Sequence, residues 1–243
     1  RVFVLTPPAE DNMPVFRTWR IARARNRLMQ FAEQQEENFD YMIAFDADDV
    51  CAGPMNVDAL RDALQQQTHW DCISFNREPY YDTWALLLDP FLHHAYACSD
   101  SPYAIVACKT ALLTEKLRKC TEKQPFVSVW SAFNGFALYK WPMFANLRYD
   151  GRKQCLFEPA LLQTAVDNIE AQFALHGVTA IVADENCEHN VFHVTARQQR
   201  NATIVISPKI LFARRTDVDA TSRKQNLQVK RPNARKQTGP FRV

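Results

Sequence analysis

A chain of 243 residues with a hydrophobic fraction of 47% can bury a sizeable core, as one large domain or two small ones. No stretch approaches the ~18 consecutive apolar residues of a membrane-spanning helix, so no transmembrane segment is predicted. With only five glycines, the chain has no Gly-x-Gly-x-x-Gly motif and no Gly-rich loop ending in Gly-Lys-Ser/Thr. The usual dinucleotide and P-loop sites are therefore excluded, and any phosphate must be held by metal, Arg or Lys.

Charge is distributed unevenly along the chain. The formal net charge is +2, yet the segment from Arg197 onward carries 12 Lys/Arg against 2 Asp/Glu, which leaves an acidic body. Residues 213–243 show almost no apolar periodicity, a pattern typical of an extended or mobile tail. We therefore expect one domain at residues 1–212 and a basic tail at 213–243. Such a tail is a solvated extension or a docking patch for an anionic partner.

The cysteines bear on the compartment. Seven scattered Cys without a Cys-x-x-Cys pair argue against a zinc knuckle and predict reduced, mostly buried thiols. This favours a cytoplasmic or cytosol-like location. A lumenal secretory location stays open, because the sequence starts on a strand-like segment without an initiator Met and looks trimmed.

Predicted strands and helices alternate in the N-terminal part. Residues 2–5 form a predicted strand, and Thr6 begins the loop that leaves it. Residues 16–37 repeat apolar side chains at helical spacing, whereas residues 41–45 and 70–75 are short apolar runs typical of buried strands. This alternation predicts an α/β fold with a mostly parallel central sheet flanked by helices.

Further elements follow from local signals. Asn56 is a predicted N-cap, and Gly177 is a predicted stop for an amphipathic helix at residues 161–176. The inward side chains of the Asn56 helix are expected to be Val57, Leu60 and Leu64. Residues 90–103 look like loop, and the strand-like alternation of residues 123–139 breaks at Asn134-Gly135, as at a bulge or a ligand contact. Two more strands are predicted at residues 178–182 and 202–206.

Three carboxylates, Asp46, Asp48 and Asp49, follow the strand at residues 41–45. Open α/β sheets place their ligands at the carboxyl ends of strands. Carboxylate oxygens are ligands that Mg²⁺ and Mn²⁺ accept, so a divalent cation is the simplest partner for these charges. The alternative is an acidic turn after a core strand.

The predicted helix at residues 16–37 begins with clustered arginines. Its basic residues are Arg17, Arg20, Arg23, Arg25 and Arg27. Cations at a helix N-terminus oppose the helix dipole, and nearby anions would relieve that cost. Phosphates are candidates because guanidinium binds them bidentately. The alternative is a solvated face paired with the glutamates later in the helix.

The second cluster is Glu188-His189-x-x-x-His193. On a helix the two histidines would share a face and could bind zinc, but the Glu lies outside the pair, unlike in the His-Glu-x-x-His motif. Because Val191, Phe192 and Val194 prefer strands, we expect an extended segment. His193 would then project from a strand end and complete the coordination of a metal held by Asp48.

Five motifs in this order resemble nucleotide-sugar glycosyltransferases of the GT-A type, in particular viral and bacterial sugar transferases. They are Arg25-Asn26, Asp46-Ala47-Asp48, Tyr81-Asp82-x-Trp84-Ala-Leu86, Ser131-Ala-Phe-Asn-Gly135-Phe and Cys187-Glu-His-x-x-x-His193. The resemblance covers most of residues 2–211. It implies a single Rossmann-like GT-A domain, a nucleoside-diphosphate sugar donor, Mn²⁺ or Mg²⁺, and a glycan, protein or other hydroxyl acceptor.

The resemblance also assigns roles by position. The donor-binding residues would be Thr6, Arg25, Asp46, Ala47, Asn134 and Gly135. The metal would be held by Asp48 with His193 or His189. A base must take the proton of the acceptor hydroxyl. The candidates are Glu188, Asp82 and Glu185.

Two other functions use the same features. A metal-dependent phosphohydrolase or nucleotidyltransferase would use the same Asp-x-Asp and cation. A non-enzymatic nucleic-acid-binding module would act through the basic tail, with an affinity that falls steeply as salt rises. The acidic body speaks against the whole domain lying on a polyanion.

Overall fold

The computed structural model describes residues 5, 16–35, 37–93, 102–152, 154–178 and 185–212. The helices in these residues are α1 (Arg17–Glu33), α2 (Val57–Gln65), α3 (Pro102–Arg118), α4 (Trp141–Phe144), α5 (Pro159–Phe173) and α6 (Glu188–Arg200). The strands are β1 (Tyr41–Phe45), β2 (Cys72–Asn76), β3 (Val127–Ser128), β4 (Phe136–Lys140) and β5 (Ile204–Ile210). None of the helices described is long and apolar enough to cross a membrane.

The strands form one open mixed sheet in the order β1-β4-β2-β5-β3. Among the described strands, only β2 and β5 pair in parallel; β4 is antiparallel to both of its neighbours, and β3 is antiparallel to β5. The prediction of an α/β fold is confirmed, but a mostly parallel sheet is not, because antiparallel pairs predominate among these strands. The predicted β1 and β2 do run in the same direction, but β4 lies between them and pairs with both.

The two faces of the sheet are buried in different clusters, because successive side chains of a strand point to opposite faces. On one face, α2 packs Ala59 and Ala63 against residues of three central strands, among them Ile73, Leu138 and Val205. The other face packs against α1, α3, α5 and α6. Its buried sheet residues include Cys72, Ala137, Tyr139, Ile204 and Ile206.

Several local predictions are confirmed, with changes in which side chains are buried. The Asn56 side chain accepts a hydrogen bond from the Ala59 amide at 3.1 Å and caps α2. However, Val57 and Leu64 of α2 are exposed, and the buried residues are Ala59 and Ala63. The first helix also forms, as α1, and buries Thr18, Ala22 and Met29.

Two segments differ from their predictions. The residues expected to extend through His193 form α6, a helix of 13 residues. Its apolar side chains Val191, Phe192 and Val194 are all buried, so tertiary packing outweighs their strand preference. Helix α3 begins at Pro102, inside the predicted loop at 90–103. The predicted strands at 2–5 and 178–182 lie largely outside the described residues, as does the tail at 213–243.

Candidate functional site

The ends of β1 and β2 and the start of β4 meet at one edge of the sheet. The Asp46 amide donates a hydrogen bond to the Gly135 carbonyl at 2.8 Å and extends the β1–β4 ladder by one residue. Gly135 has a φ of 85°, and a Cβ there would lie 2.4 Å from Val50 Cγ1. A side chain at Gly135 would therefore be strained by its backbone and would collide with Val50. Asp46 and Gly135, both predicted site residues, are thus neighbours.

Asn134 joins three segments at this edge. Its side-chain nitrogen donates to the Phe75 carbonyl at 2.9 Å, at the end of β2. Its side-chain oxygen accepts from the amides of Tyr81 and Asp82 at 3.1 and 3.2 Å. Asn134 itself has a φ of 54°, a left-handed conformation that Asn tolerates. The residue predicted to line a ligand site instead holds Asp82 in place.

Arg25 of α1 lies between two carboxylates from distant parts of the chain. Its Nη2 is 3.3 Å from Asp46 Oδ1, and its Nε is 3.3 Å from Glu188 Oε1. The guanidinium carbon also lies 4.9 Å from the ring centroid of Phe133 and 5.6 Å from that of Tyr149. Burial works to lower the pKa of Arg25, but Tyr149, Glu188 and Asp46 outweigh it and raise the pKa. Arg25 is therefore a fixed cation.

Asp46 and Glu188 flank this cation, and Asp82, whose charge interacts with both, completes a carboxylate cluster of three residues. Burial raises the pKa of all three, and Arg25 opposes the rise at Asp46 and Glu188. The negative charge of Asp46 further raises the pKa of both Asp82 and Glu188. These groups come from the ends of β1, the loop after β2 and the first turn of α6. The fold thus concentrates negative charge at the sheet edge where the sequence predicts a ligand site.

The two carboxylates proposed as bases are both desolvated. Residue Asp82 keeps more accessible surface than Glu188, but burial is the main cause of the raised pKa of both side chains. One oxygen of Asp82 accepts a hydrogen bond from the Ala85 amide at 3.0 Å. The third candidate base, Glu185, accepts from the Thr18 hydroxyl at 2.7 Å and from the Thr18 amide at 3.3 Å, at the start of α1. Glu185 thus serves the N-terminus of α1, where a carboxylate is favourable.

Asp48 lies at the exposed rim of the site, next to the exposed Ala47. Its Oδ1 accepts from the Val50 amide at 3.0 Å and caps a short 3₁₀ turn, Asp49–Cys51. Its charge helps to raise the pKa of Asp46, although burial is the larger cause. Asp46 and Asp48 are therefore close enough to interact, with Asp48 on the solvent side.

His193 is part of a buried hydrogen-bond cluster. Its Nδ1 lies 2.9 Å from Ser131 Oγ, and its Nε2 lies 3.1 Å from Tyr139 Oη. The ring is 0% exposed, and burial lowers the pKa of His193 to about 3. Both ring nitrogens already have hydroxyl partners, so His193 is not available to a metal ion at the rim.

His189 is buried among aromatic rings. It stacks on Phe133 with 3.9 Å between centroids, and its Nε2 lies 3.7 Å from Glu188 Oε1. Burial lowers its pKa well below the ordinary histidine value, and the nearby Arg25 adds to this. Within the described ranges, no group of three or more His, Cys, Asp and Glu side chains could hold a metal ion. The predicted combination of Asp48 with the two histidines is not assembled.

Thr6, a predicted donor-binding residue, lies outside the described residues. Two residues of the site, Tyr149 and Lys109, were not predicted. Tyr149 contacts Arg25 and stacks on Phe192 with 3.9 Å between ring centroids. Its backbone amide and carbonyl each form a hydrogen bond with the Asn26 side chain. Lys109 is fully buried, donates to the Thr83 carbonyl at 3.2 Å and works to lower the pKa of Asp82. Neither residue belongs to a motif, so no sequence signal was available.

Comparison with known proteins gives no match: no family model, no curated protein and no solved structure is significantly similar to the chain. The geometry of the carboxylate cluster and the sequence motifs that compose it are therefore the features that bear on function.

Proposed function

We propose that the protein transfers a sugar from a nucleoside-diphosphate sugar to an acceptor hydroxyl. The observation that carries this proposal is the carboxylate cluster. Asp46 and Glu188 flank Arg25, and Asp82 lies close enough to both carboxylates for their charges to interact, although the three residues come from segments that are distant in sequence. Each of the three belongs to a motif in the glycosyltransferase-like order. Their convergence is unexpected for an acidic turn alone.

Asp82 is the proposed base. The acceptor O–H bond breaks, its proton passes to Asp82, and the hydroxyl oxygen bonds to the sugar carbon while the nucleoside diphosphate leaves with its bonding electrons. Asp82 is half-buried, and its carboxylate accepts a hydrogen bond from the Ala85 amide, which fixes its position. Burial and the charge of Asp46 raise its pKa, which suits a proton acceptor. Glu188, buried against Arg25, holds that cation in place.

A divalent cation fits the rim only in part. Mg²⁺ is commonly held by one or two carboxylates together with substrate phosphates, and the exposed Asp48 with the adjacent Asp46 can supply those carboxylates. The histidines do not fit, because His193 is satisfied by hydroxyls and both rings are buried. When bound, such a cation neutralises the charge that develops on the leaving diphosphate.

The test combines donor binding with product analysis. A panel of nucleotide sugars with Mn²⁺ or Mg²⁺ should contain one donor that raises the melting temperature, since a ligand that binds only the native state stabilises it. With that donor and hydroxyl acceptors, we expect release of nucleoside diphosphate and formation of a glycoside. Release of inorganic phosphate or pyrophosphate would instead indicate a phosphohydrolase or a nucleotidyltransferase and would reject the proposal.

Two variants separate the roles. Asp82→Asn should lower the transfer rate by about 10²–10⁴-fold while it keeps donor-induced stabilisation, because only proton transfer is lost. Asp48→Asn should lose the metal-dependent part of that stabilisation. Asp58→Asn, which removes the same charge from the exposed surface of α2, is the matched control. Unchanged transfer in Asp82→Asn would exclude it as the base.

A further inference from the structure

A cavity lies beside α1, separate from the carboxylate cluster. It has a volume of about 650 Å³, within the usual range for small-ligand sites. Its main lining residues are Trp19, Arg23, Arg27, Gln30, Tyr149 and Arg152. With 3.6 residues per turn, the α1 members lie on the opposite flank of the helix from Arg25. We refer to it as the α1 cavity.

The α1 cavity is positively charged. Three guanidinium groups, those of Arg23, Arg27 and Arg152, line it against one carboxylate, Asp150. Arg152 is paired with Asp150, with 2.6 Å between Nη2 and Oδ2. The partly buried Arg27 has no ion pair or side-chain hydrogen bond in the described part of the chain. A cation in this position favours an anionic ligand, which guanidinium can bind bidentately.

The walls of the α1 cavity are held in place before any ligand binds. The Asn26 side chain donates to the Tyr149 carbonyl at 2.8 Å and accepts from the Tyr149 amide at 2.7 Å. Gly151 packs so closely on α1 that a Cβ there would lie 2.5 Å from the Thr18 backbone. The segment that carries Tyr149, Asp150 and Arg152 is thus fixed to the helix that carries the other arginines.

One residue, Tyr149, contacts both the α1 cavity and the cation of the carboxylate cluster. It lines the cavity, and its ring centroid lies 5.6 Å from the guanidinium carbon of Arg25. Trp19 adds flat apolar surface to a site rich in hydrogen-bond donors. Such a combination suits a sugar ring, whose C–H faces are apolar and whose edges carry hydroxyls.

We propose that the α1 cavity binds an anionic sugar unit of the acceptor, a hexose that carries a phosphate or a carboxylate. This inference rests on the proposed function, because it takes the adjoining cluster as the place of transfer. The anion would lie on Arg27 and Arg152, and the ring would lie against Trp19. The acceptor would then be an acidic or phosphorylated glycan, held beside the site in which its hydroxyl reacts.

Calorimetric titration of the full chain can test this without donor or turnover. The probes are glucose 6-phosphate, glucuronate, glucose and inorganic phosphate. We expect both anionic sugars to bind, glucose to bind at least tenfold more weakly, and phosphate to compete with glucose 6-phosphate. Binding should weaken as salt rises, because part of it is an ion contact. Equal affinities for glucose and glucose 6-phosphate would overturn the proposal. So would a result in which inorganic phosphate binds and neither anionic sugar does.

Variants assign the binding to this cavity. Arg27→Ala should weaken glucose 6-phosphate binding at least tenfold, and Arg27→Gln provides a second variant with a longer side chain. Arg61→Ala removes the same charge from the exposed surface of α2 and should bind like the parent. Unchanged binding in both Arg27 variants would overturn the proposal. Asp82→Asn should keep this binding, so a failure of the proposed transfer reaction would be visible separately.

Discussion

His193 shows how one residue can be a plausible ligand in sequence and a structural group in the fold. Its two ring nitrogens face the hydroxyls of Ser131 and Tyr139, and its ring is fully buried. A neutral imidazole has one donor and one acceptor nitrogen, and both can be satisfied by hydroxyls. The cluster therefore stabilises the neutral form, and protonation in the folded state is disfavoured.

This neutrality predicts acid sensitivity. Burial lowers the pKa of His193 from 6.5 to about 3, so between these values the unfolded chain binds a proton that the folded chain does not. Because the unfolded chain takes up a proton at this histidine, the free energy of unfolding falls with the pH. The stability that neutral His193 contributes is therefore fully present above about pH 6.5 and decreases towards pH 3, by at most about 1.4 kcal/mol per pH unit. Urea unfolding of the parent and of His193→Gln from pH 7.5 to 5 measures this loss of stability.

The comparison between the two chains isolates His193, because other groups titrate in both. The glutamine can still hydrogen-bond to the hydroxyls but does not titrate. We expect the unfolding free energy of His193→Gln to fall less steeply below pH 6.5 than that of the parent. Parallel curves for the two proteins would mean that His193 is protonated in the folded state and that its cluster is more open than the structure shows.

Among the elements, β1 and α1 were predicted in position and α6 was not, for a physical reason. The expected burial of β1 is wrong, because its Ile43 and Phe45 are exposed. A short apolar run followed by acids predicted β1, the spacing of apolar residues predicted α1, and the cap at Asn56 predicted α2. These signals are local. The helical state of α6 depends on partners far away in sequence, such as Tyr149, on which Phe192 stacks.

The same distinction holds for the carboxylate cluster. The sequence predicted Asp46, Asp82 and Glu188 as candidate site residues, and the fold places Asp46 and Glu188 beside Arg25, with Asp82 close enough for its charge to interact with both. The sequence did not predict that β4 lies between β1 and β2, because the two strand pairings join residues that are roughly 60–100 positions apart in the chain. Nor did it predict that Asn134 holds the Asp82 loop, since a side chain that binds backbone leaves no motif.

Asn26 is one of several α1 side chains that attach the helix to the segment after α4, together with Thr18 and Glu33. Asn26 makes two hydrogen bonds to the backbone of Tyr149, a residue that is 4% exposed. Asn26→Ala would leave these buried backbone groups without partners, and each costs about 1–3 kcal/mol. We expect a loss of about 2–4 kcal/mol in the free energy of unfolding, measured by urea titration.

The control for this prediction is Gln30→Ala, an exposed position one turn further along the same helix. It should change stability by less than about 0.5 kcal/mol, as surface substitutions usually do. If Asn26→Ala were as mild as Gln30→Ala, the segment at Tyr149 would be held by its ring contacts instead of by its backbone.

At the scale of the whole molecule, the structured domain needs its last two described residues. Leu211 is 1% exposed, and its carbonyl accepts a hydrogen bond from the Asn56 amide at 2.7 Å. Phe212 bridges to Met55 and packs on Phe136 with 5.8 Å between ring centroids. Both contacts join the end of β5 to the start of α2. The domain therefore extends at least to Phe212.

Two truncations test this boundary and the role of the tail together. A chain that ends at Phe212 should keep the parent melting temperature and its donor-induced stabilisation, whereas one that ends at Ile210 should lose about 2–4 kcal/mol through the missing Leu211 and Phe212 side chains. Since the tail is basic, its removal should instead reduce transfer to an anionic acceptor, most strongly at low salt. Donor hydrolysis and acceptor transfer, measured across a salt series, separate these effects. Loss of donor binding in the chain that ends at Phe212 would show that the tail contributes to the site itself.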